Sequence, residues 1–287
     1  MTAKDLSGKT ILITGASDGI GAAAAKILHQ QGARVVVIGR SPDKTKRVAE
    51  AIQSDYFICD FAKLAQVKDL AQQLLAKYPQ IDILVNNAGL IWDSKRTLTE
   101  DGFEMMFQVN HLSPFLLTYL LKERLWESHS QIINTSSIGN NMGRLKLDDL
   151  NSEQSYRNFI VYGTTKLENI LFTNEIHRQW SDKGITTASF HPGPVATQFG
   201  NQADFLTKLI YHTPLKDIML KTGMLIHSEQ GADTLIWLIN SECGKDWQSG
   251  GYYSKRKPGR MSPQASQAEL AKGLWEASLN LLKPFLA

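Results

Sequence analysis

Cysteine is scarce. The 287 residues hold two, Cys59 and Cys243, and no Cys-x-x-Cys pair. This excludes a disulfide scaffold and argues against zinc and thioredoxin-like redox sites, and it fits buried thiols in a reducing compartment. Long apolar runs are also missing. The longest candidate, Leu112 to Leu121, is interrupted by Ser113, Pro114 and Thr118 and is too short to span a bilayer. Met1 to Lys9 carries Lys4, Asp5 and Lys9 without an apolar core, so it does not read as a signal peptide. Charge of one sign is absent too: 31 basic and 28 acidic residues leave a net charge of +3. A nucleic-acid binder would show a basic stripe. The most basic stretch here, Lys255 to Arg260, is short, contains Pro258 and Gly259, and reads as a solvated loop. The expectation is a soluble, cytoplasmic protein with no nucleic-acid partner, no membrane anchor and no metal.

What is present is an ordinary globular composition, 43% hydrophobic and 21% charged. Length alone allows roughly two domains. No repeat, low-complexity stretch or Pro/Gly/Ser-rich linker divides the chain, so one domain over 1–287 is expected. Apolar, β-branched runs recur at Thr10–Thr14, Arg34–Ile38, Tyr56–Cys59, Ile81–Val85, Gln131–Asn134 and Thr186–Phe190. Such runs suit strands buried on both faces of a parallel sheet. Between them lie helical segments: Gly21 to Gln31, Lys63 to Lys77, Glu100 to Leu125 and Tyr162 to Trp180. A tail helix spans about Ala265 to Leu282. The alternation predicts a Rossmann-like, doubly wound α/β sheet of about seven strands with helices on both faces. Residues 198–226 break the rhythm and are expected to form a small helical lid.

The first strand leads into Gly15-Ala16-Ser17-Asp18-Gly19-Ile20-Gly21 and then a helix. Glycines permit a sharp turn and close backbone approach, and the helix start offers unpaired N–H groups to a pyrophosphate. Gly15, Ser17, Asp18, Gly19, Ile20 and Gly21 are therefore candidate dinucleotide contacts. Asp18 would repel a phosphate and reads better as the helix cap. A dinucleotide site commonly carries an acid at the end of the second strand, for the ribose 2′-hydroxyl. Gly39 and Arg40 stand there instead, and the guanidinium fork suits a 2′-phosphate. This favours NADP(H) over NAD(H). The other reading is a solvent-exposed strand end, which nearby Asp43 keeps open.

Further elements follow in order: Asn86-Asn87-Ala88-Gly89, then Asn110, then Ser136-Ser137, then Tyr162-Gly163-Thr164-Thr165-Lys166, then His191-Pro192-Gly193-Pro194-Val195-Ala196-Thr197. Tyr162 and Lys166 are four residues apart, which puts both on one helix face. A nearby ammonium favours the phenolate of a tyrosine and brings it toward the range where a general acid/base works.

Jointly these motifs resemble the short-chain dehydrogenase/reductase family over nearly the whole chain. Within it the chain looks most like the retinol-dehydrogenase-like branch, through Lys166 to Thr173, the long stretch from Ser137 to Tyr162, and the tail from Gly251 to Trp275. The resemblance implies that Tyr162 exchanges a proton with a carbonyl or alcohol oxygen. It implies that Lys166 also holds the nicotinamide ribose, that Ser137 polarises the substrate oxygen, and that Asn110 serves a water-linked proton relay. It places Asn87, Ala88 and Gly89 near the adenine-side ribose and Asp60 and Phe61 near the adenine. It lines the nicotinamide carboxamide with Pro192, Gly193, Val195 and Thr197. Plainer readings stand beside these: a helix cap for Asp60, a backbone bond for Asn110, a strand-end turn for Asn87 to Gly89. His111, His191 and His227 read as structural. Phe199, Phe205, Leu206, Leu209, Tyr211 and Met219 suit an apolar substrate or packing of the lid. The family commonly pairs subunits through its two long central helices, which implies a homodimer or homotetramer. The expected activity is an NADP(H)-dependent oxidoreductase for apolar or aromatic carbonyls and alcohols. A cofactor-sensing binding protein, double-bond reduction and epimerisation are the alternatives.

Overall fold

The first two strands, β1 (Thr10–Thr14) and β2 (Arg34–Gly39), are buried almost throughout, as strands with helices on both faces must be. Between them runs α1 (Gly19–Gln30), whose alanines let it lie close to the sheet. Gly32, at φ +90, closes it in the left-handed conformation. Then come α2 (Pro42–Ala51), β3 (Asp55–Ile58), α3 (Leu64–Lys77) and β4 (Ile83–Asn86). The computed structural model describes residues 4–195, 222 and 225–286. Thr197 and all of the expected lid except 222 and 225–226 lie outside the described residues.

The expected helix from Glu100 to Leu125 is broken into pieces. It comprises α4 (Met105–Phe107), a π turn (Gln108–Leu112), α5 (Ser113–Leu120) and α6 (Lys122–Glu127). The causes are local. Gly102, at φ +85, turns the chain, and the Glu104 carboxylate caps α4 by accepting the Phe107 N–H at 2.7 Å. Pro114 has no N–H to continue an i→i−4 ladder, and the Ser113 N–H reaches back five residues to Gln108.

The chain continues through β5 (Gln131–Thr135), a 3₁₀ turn (Ile138–Met142), α7 (Asn158–Trp180) and β6 (Thr186–His191). It ends with α8 (Ser228–Asn240), β7 (Gly251–Ser254), β8 (Lys257–Pro258) and α9 (Ala268–Leu286). The sheet has eight strands in the order β3-β2-β1-β4-β5-β6-β7-β8, all parallel except the last pair. The order reverses between β1 and β4, and a crevice opens there at the carboxyl ends of the strands. The eighth strand corrects the reading of Lys255 to Arg260 as a loop. Lys255 and Arg256 take positive φ values of 52 and 59, turning the chain into a short hairpin. β3 also differs from a doubly buried strand. It is the sheet edge, and Tyr56 and Ile58 on one face are exposed.

Two apolar layers flank the sheet. On one side α9 lies across α5 and α7. Its Trp275 ring sits 4.8 Å from Phe115, 5.9 Å from Phe172 and 5.5 Å from Trp180. The aromatic faces of α5 and α7 are thus taken by the chain's own last helix. Trp275 is buried, so Trp275→Ala should cost about 3–5 kcal/mol through lost contacts and the cavity left behind. Urea unfolding followed by far-UV circular dichroism measures it.

Candidate active site

The crevice at the β1/β4 reversal holds a cleft of about 690 Å³. Gly15, Ser17, Asp18, Gly19 and Ile20 form one wall. Gly15 has φ +65, and a Cβ on it would lie 2.8 Å from Ala88 Cα. A Cβ on Gly21 would lie 2.5 Å from the Gly15 carbonyl oxygen, so Gly21 packs the helix start against the loop rather than facing the cleft. Asp18 caps α1: its Oδ1 accepts the Gly19 N–H at 2.7 Å. Its other oxygen meets Lys44 Nζ at 2.9 Å, a pair that spans the rim of the cleft. The amides of Ile20 and Gly21 remain at the positive end of the helix dipole.

At the end of β2 a Cβ on Gly39 would come within 2.8 Å of Ser17 Cβ and 2.4 Å of Thr45 Oγ1. That contact keeps any side chain out of position 39. Arg40 is exposed on the rim, and among the described residues no carboxylate pairs with it. Asp60 and Phe61 line the same end. The Asp60 carboxylate is turned locally, accepting the Ala62 N–H at 3.1 Å, and it does not cap α3.

The floor is tied together by Asn87. Its Nδ2 donates to the carbonyls of Thr14 at 2.9 Å and Gly15 at 3.3 Å, and its Oδ1 accepts from Thr135 Oγ1 at 3.3 Å. Thr14 Oγ1 in turn accepts the N–H groups of Asn87 and Ala88. Gly89 sits tightly against the site: a Cβ on it would lie 3.1 Å from Asn110 Oδ1 and 3.2 Å from Lys166 Nζ. Asn110 itself does not line the cleft. Its side chain clamps the backbone of Leu90, accepting N–H at 2.7 Å and donating to C=O at 2.9 Å, and it also donates to Thr165 Oγ1.

Ser137, Tyr162 and Lys166 meet at the other end. Lys166 Nζ lies 5.6 Å from the Tyr162 ring centre and donates to the Thr135 carbonyl at 3.3 Å. The ammonium is 2% exposed, and burial pushes its pKa down to about 8. The two neighbouring serines separate cleanly. Ser136 is buried and its hydroxyl is consumed by the Lys166 carbonyl at 2.6 Å, whereas Ser137 stays partly open on the cleft wall. Glycines hold Ser137 against the tyrosine. A Cβ on Gly163 would lie 2.5 Å from the Gly139 carbonyl oxygen, and one on Gly143 would lie 2.6 Å from that of Gly163. Backbone therefore rests on backbone where the 3₁₀ turn crosses α7.

Residues 9–204 match the family model described as short chain dehydrogenase. The chain belongs to the short-chain dehydrogenase family. Its relatives within the family are similar over nearly their full length. A Streptomyces sp. (strain C5) protein bearing the name daunorubicin C-13 ketoreductase is 41% identical, covering 95% of this chain and 92% of its own. Human retinol dehydrogenase 11 is 36% identical, covering 96% and 87%. The crystal structure of an uncharacterized protein from Mycobacterium paratuberculosis superposes with a TM-score of 0.78 at 27% identity, covering 98% and 96%. These matches make the chain a member of a dehydrogenase/reductase family of the retinol-dehydrogenase-like kind. Among the described residues no helix is long and apolar enough to cross a membrane.

Pro192, Gly193 and Val195 line the cleft as expected, and so does His191, read from sequence as structural. Lys44, Ser41 and Phe159 also face the cleft and were not anticipated. Lys44 had one available signal: it sits four residues beyond Arg40, in the first turn of α2. His111 is structural, its Nε2 lying 2.9 Å from Ser278 Oγ among Phe107, Phe115 and Phe172.

One buried group behind the site has a measurable cost. Glu168 on α7 is 1% exposed, and its Oε2 has no hydrogen-bond partner among the described residues. Burial, reinforced by nearby Glu104, holds its carboxyl well above the ordinary value of 4.5. The folded chain keeps this proton while the unfolded chain releases it, so stability falls as pH rises above that value. Glu168→Gln removes the penalty. Its urea midpoint should exceed that of the parent, with a wider gap at about pH 8 than at about pH 5.

Proposed function

We propose that the protein is an NADP(H)-dependent carbonyl reductase or alcohol dehydrogenase for apolar or aromatic substrates, with Tyr162 as general acid/base. The observation that carries this reading is the buried Lys166 ammonium beside the Tyr162 ring at the head of the cleft. An isolated buried ammonium is costly, and a proton-transfer site is a reason to keep one. The names of two relatives, a ketoreductase and a retinol dehydrogenase, support chemistry at a carbon bearing oxygen.

The residues present fit a dinucleotide. Gly15 brings the backbone into the space a side chain would fill, and Arg40 stands at the rim without a carboxylate partner among the described residues. Gly15, Ser17, Gly19 and Ile20 would hold the pyrophosphate, with Asp18 retained as the cap. Arg40 would take a 2′-phosphate, Asp60 and Phe61 would border the adenine, and Asn87, Ala88 and Gly89 would border its ribose. Pro192, Gly193 and Val195 would border the nicotinamide. The cofactor, when bound, supplies or accepts the hydride.

The chain's own residues do the rest. Tyr162 gives its phenolic proton to a carbonyl oxygen, or takes one from an alcohol in the reverse direction. The Lys166 ammonium, still protonated at neutral pH, stabilises the phenolate left behind. Ser137 donates its hydroxyl to the same substrate oxygen. Asn110 acts through its backbone. Its side chain is spent on Leu90 and Thr165, so the proton relay expected of it would run past its main chain. Exposed Phe159, which lines the cleft beside Tyr162, favours an apolar substrate body.

An NADPH-oxidation screen over apolar aldehydes and ketones tests the reading. Tyr162→Phe should lower turnover about 10²- to 10⁴-fold while calorimetry still shows NADPH binding. Undiminished turnover in that variant overturns the role of Tyr162. Arg40→Ala should weaken NADPH about 10- to 100-fold and leave NADH unchanged, as loss of one charged phosphate contact requires. Equal weakening of both cofactors, or tighter NADH binding by the parent, overturns the NADP(H) preference.

A further inference from the structure

Asn140 lies three residues beyond Ser137, in the 3₁₀ turn, and is fully buried. Its side-chain amide bonds three different segments. Nδ2 donates to the Ser137 carbonyl at 2.7 Å and to the Tyr252 hydroxyl of β7 at 3.4 Å. Oδ1 accepts the Ser262 N–H at 2.8 Å. The amide cannot be flipped, because Ser137 offers only an acceptor and Ser262 only a donor. The Ser137 carbonyl also accepts the Asn140 backbone N–H at 3.1 Å, so one residue grips it twice.

That grip bears on the Ser137 hydroxyl. Ser137 Oγ accepts the Gly139 N–H at 3.1 Å. One lone pair is thereby engaged, which leaves the hydroxyl proton to be given on the side of Ser137 that lines the cleft. The geometry holds only while Gly139 N–H stays beneath Oγ. The turn of residues 137–140, closed by the Asn140 side chain, keeps it there. Gly139 in turn lies against the Tyr162 ring, with its Cβ position 3.3 Å from Cε1.

We infer that Asn140 is a positioning residue that aims the Ser137 hydroxyl at the substrate oxygen and ties this aim to the segment around Tyr252 and Ser262. The inference rests on the reductase reading above, in which Ser137 touches substrate. A purely structural Asn140 would anchor the Ser262 segment and nothing more. Two variants and a double-mutant cycle separate these roles. Asn140→Ala removes all three bonds. Asn140→Asp keeps the acceptor for Ser262 but sets a carboxylate oxygen against the Ser137 carbonyl.

The experiment uses the full chain, NADPH and whichever carbonyl turns over fastest in the screen. Both variants should lower kcat about 10- to 100-fold, the loss that misplacing a reacting group by a fraction of an ångström to one ångström produces. The Kd for NADPH, read by calorimetry, should stay within about twofold of the parent. The buried carboxylate of Asn140→Asp lowers its urea midpoint, so turnover is compared without denaturant, where far-UV circular dichroism shows both variants folded. In a Ser137→Ala background the further loss from either Asn140 variant should shrink to about twofold, because the group being aimed is gone. An undiminished loss in that background, or no kcat loss in Asn140→Asp, overturns the positioning role while leaving the reductase reading intact. A Ser137→Ala variant that turns over like the parent overturns the role of Ser137 itself, and the inference with it.

Discussion

The cleft depends on Asn87. Three parallel strands, β1, β4 and β5, end side by side, and each leaves backbone groups that the sheet no longer pairs. Asn87 collects them. Its amide bonds the carbonyls of Thr14 and Gly15 while its oxygen accepts from Thr135. Thr14 Oγ1 completes the knot on the Asn87 and Ala88 amides. The glycine loop is thereby held against β4, close enough that Gly15 must be glycine. The other end of the cleft inherits the same anchor, since Thr135 carries the carbonyl that meets Lys166.

From that anchor the reacting end follows by packing. α7 brings Tyr162 and Lys166 down one face, and its remaining faces are buried against the sheet, the π turn and α9. A helix so enclosed cannot rotate, so the tyrosine and the lysine move only with the whole body. The glycine contacts at 139, 143 and 163 then set the height of Ser137 above α7 to within a side-chain methyl. Asn110 works at one remove, holding Leu90 to Thr165. The arrangement is rigid because it is backbone against backbone, with few rotatable groups to average over.

Much of this was legible in the sequence. The strand–helix alternation, the glycine loop, Asp18 as a cap and the Tyr162–Lys166 spacing are local patterns, and local patterns survive folding. Three misreadings have separate causes. The broken 100–125 helix turned on Gly102 and Pro114, whose effects compete with a strong helical periodicity. β3 looked like its neighbours because composition does not say which strand is the edge. Lys255 to Arg260 looked like a loop because a two-residue strand carries no period. Long-range pairings were out of reach altogether. Nothing about Lys44 announces Asp18, and nothing about Asn140 announces Ser262. Those contacts join segments 26 and 122 residues apart.

The near-balance of charge conceals an uneven placement. Arg40 and Lys44 stand at one end of the cleft and the buried Lys166 at the other. Among the described residues Asp18 and Asp60 are the carboxylates that line the cleft, and Asp18 is paired with Lys44 and bonded by the Gly19 amide. Arg40, Lys44 and Lys166 against Asp18 and Asp60 leave the lining of the cleft one positive charge in excess. Under the proposed reading this is the economical solution. A dinucleotide needs cations only where its phosphates lie and one more where a phenolate forms. A surplus elsewhere would add non-specific attraction to other polyanions.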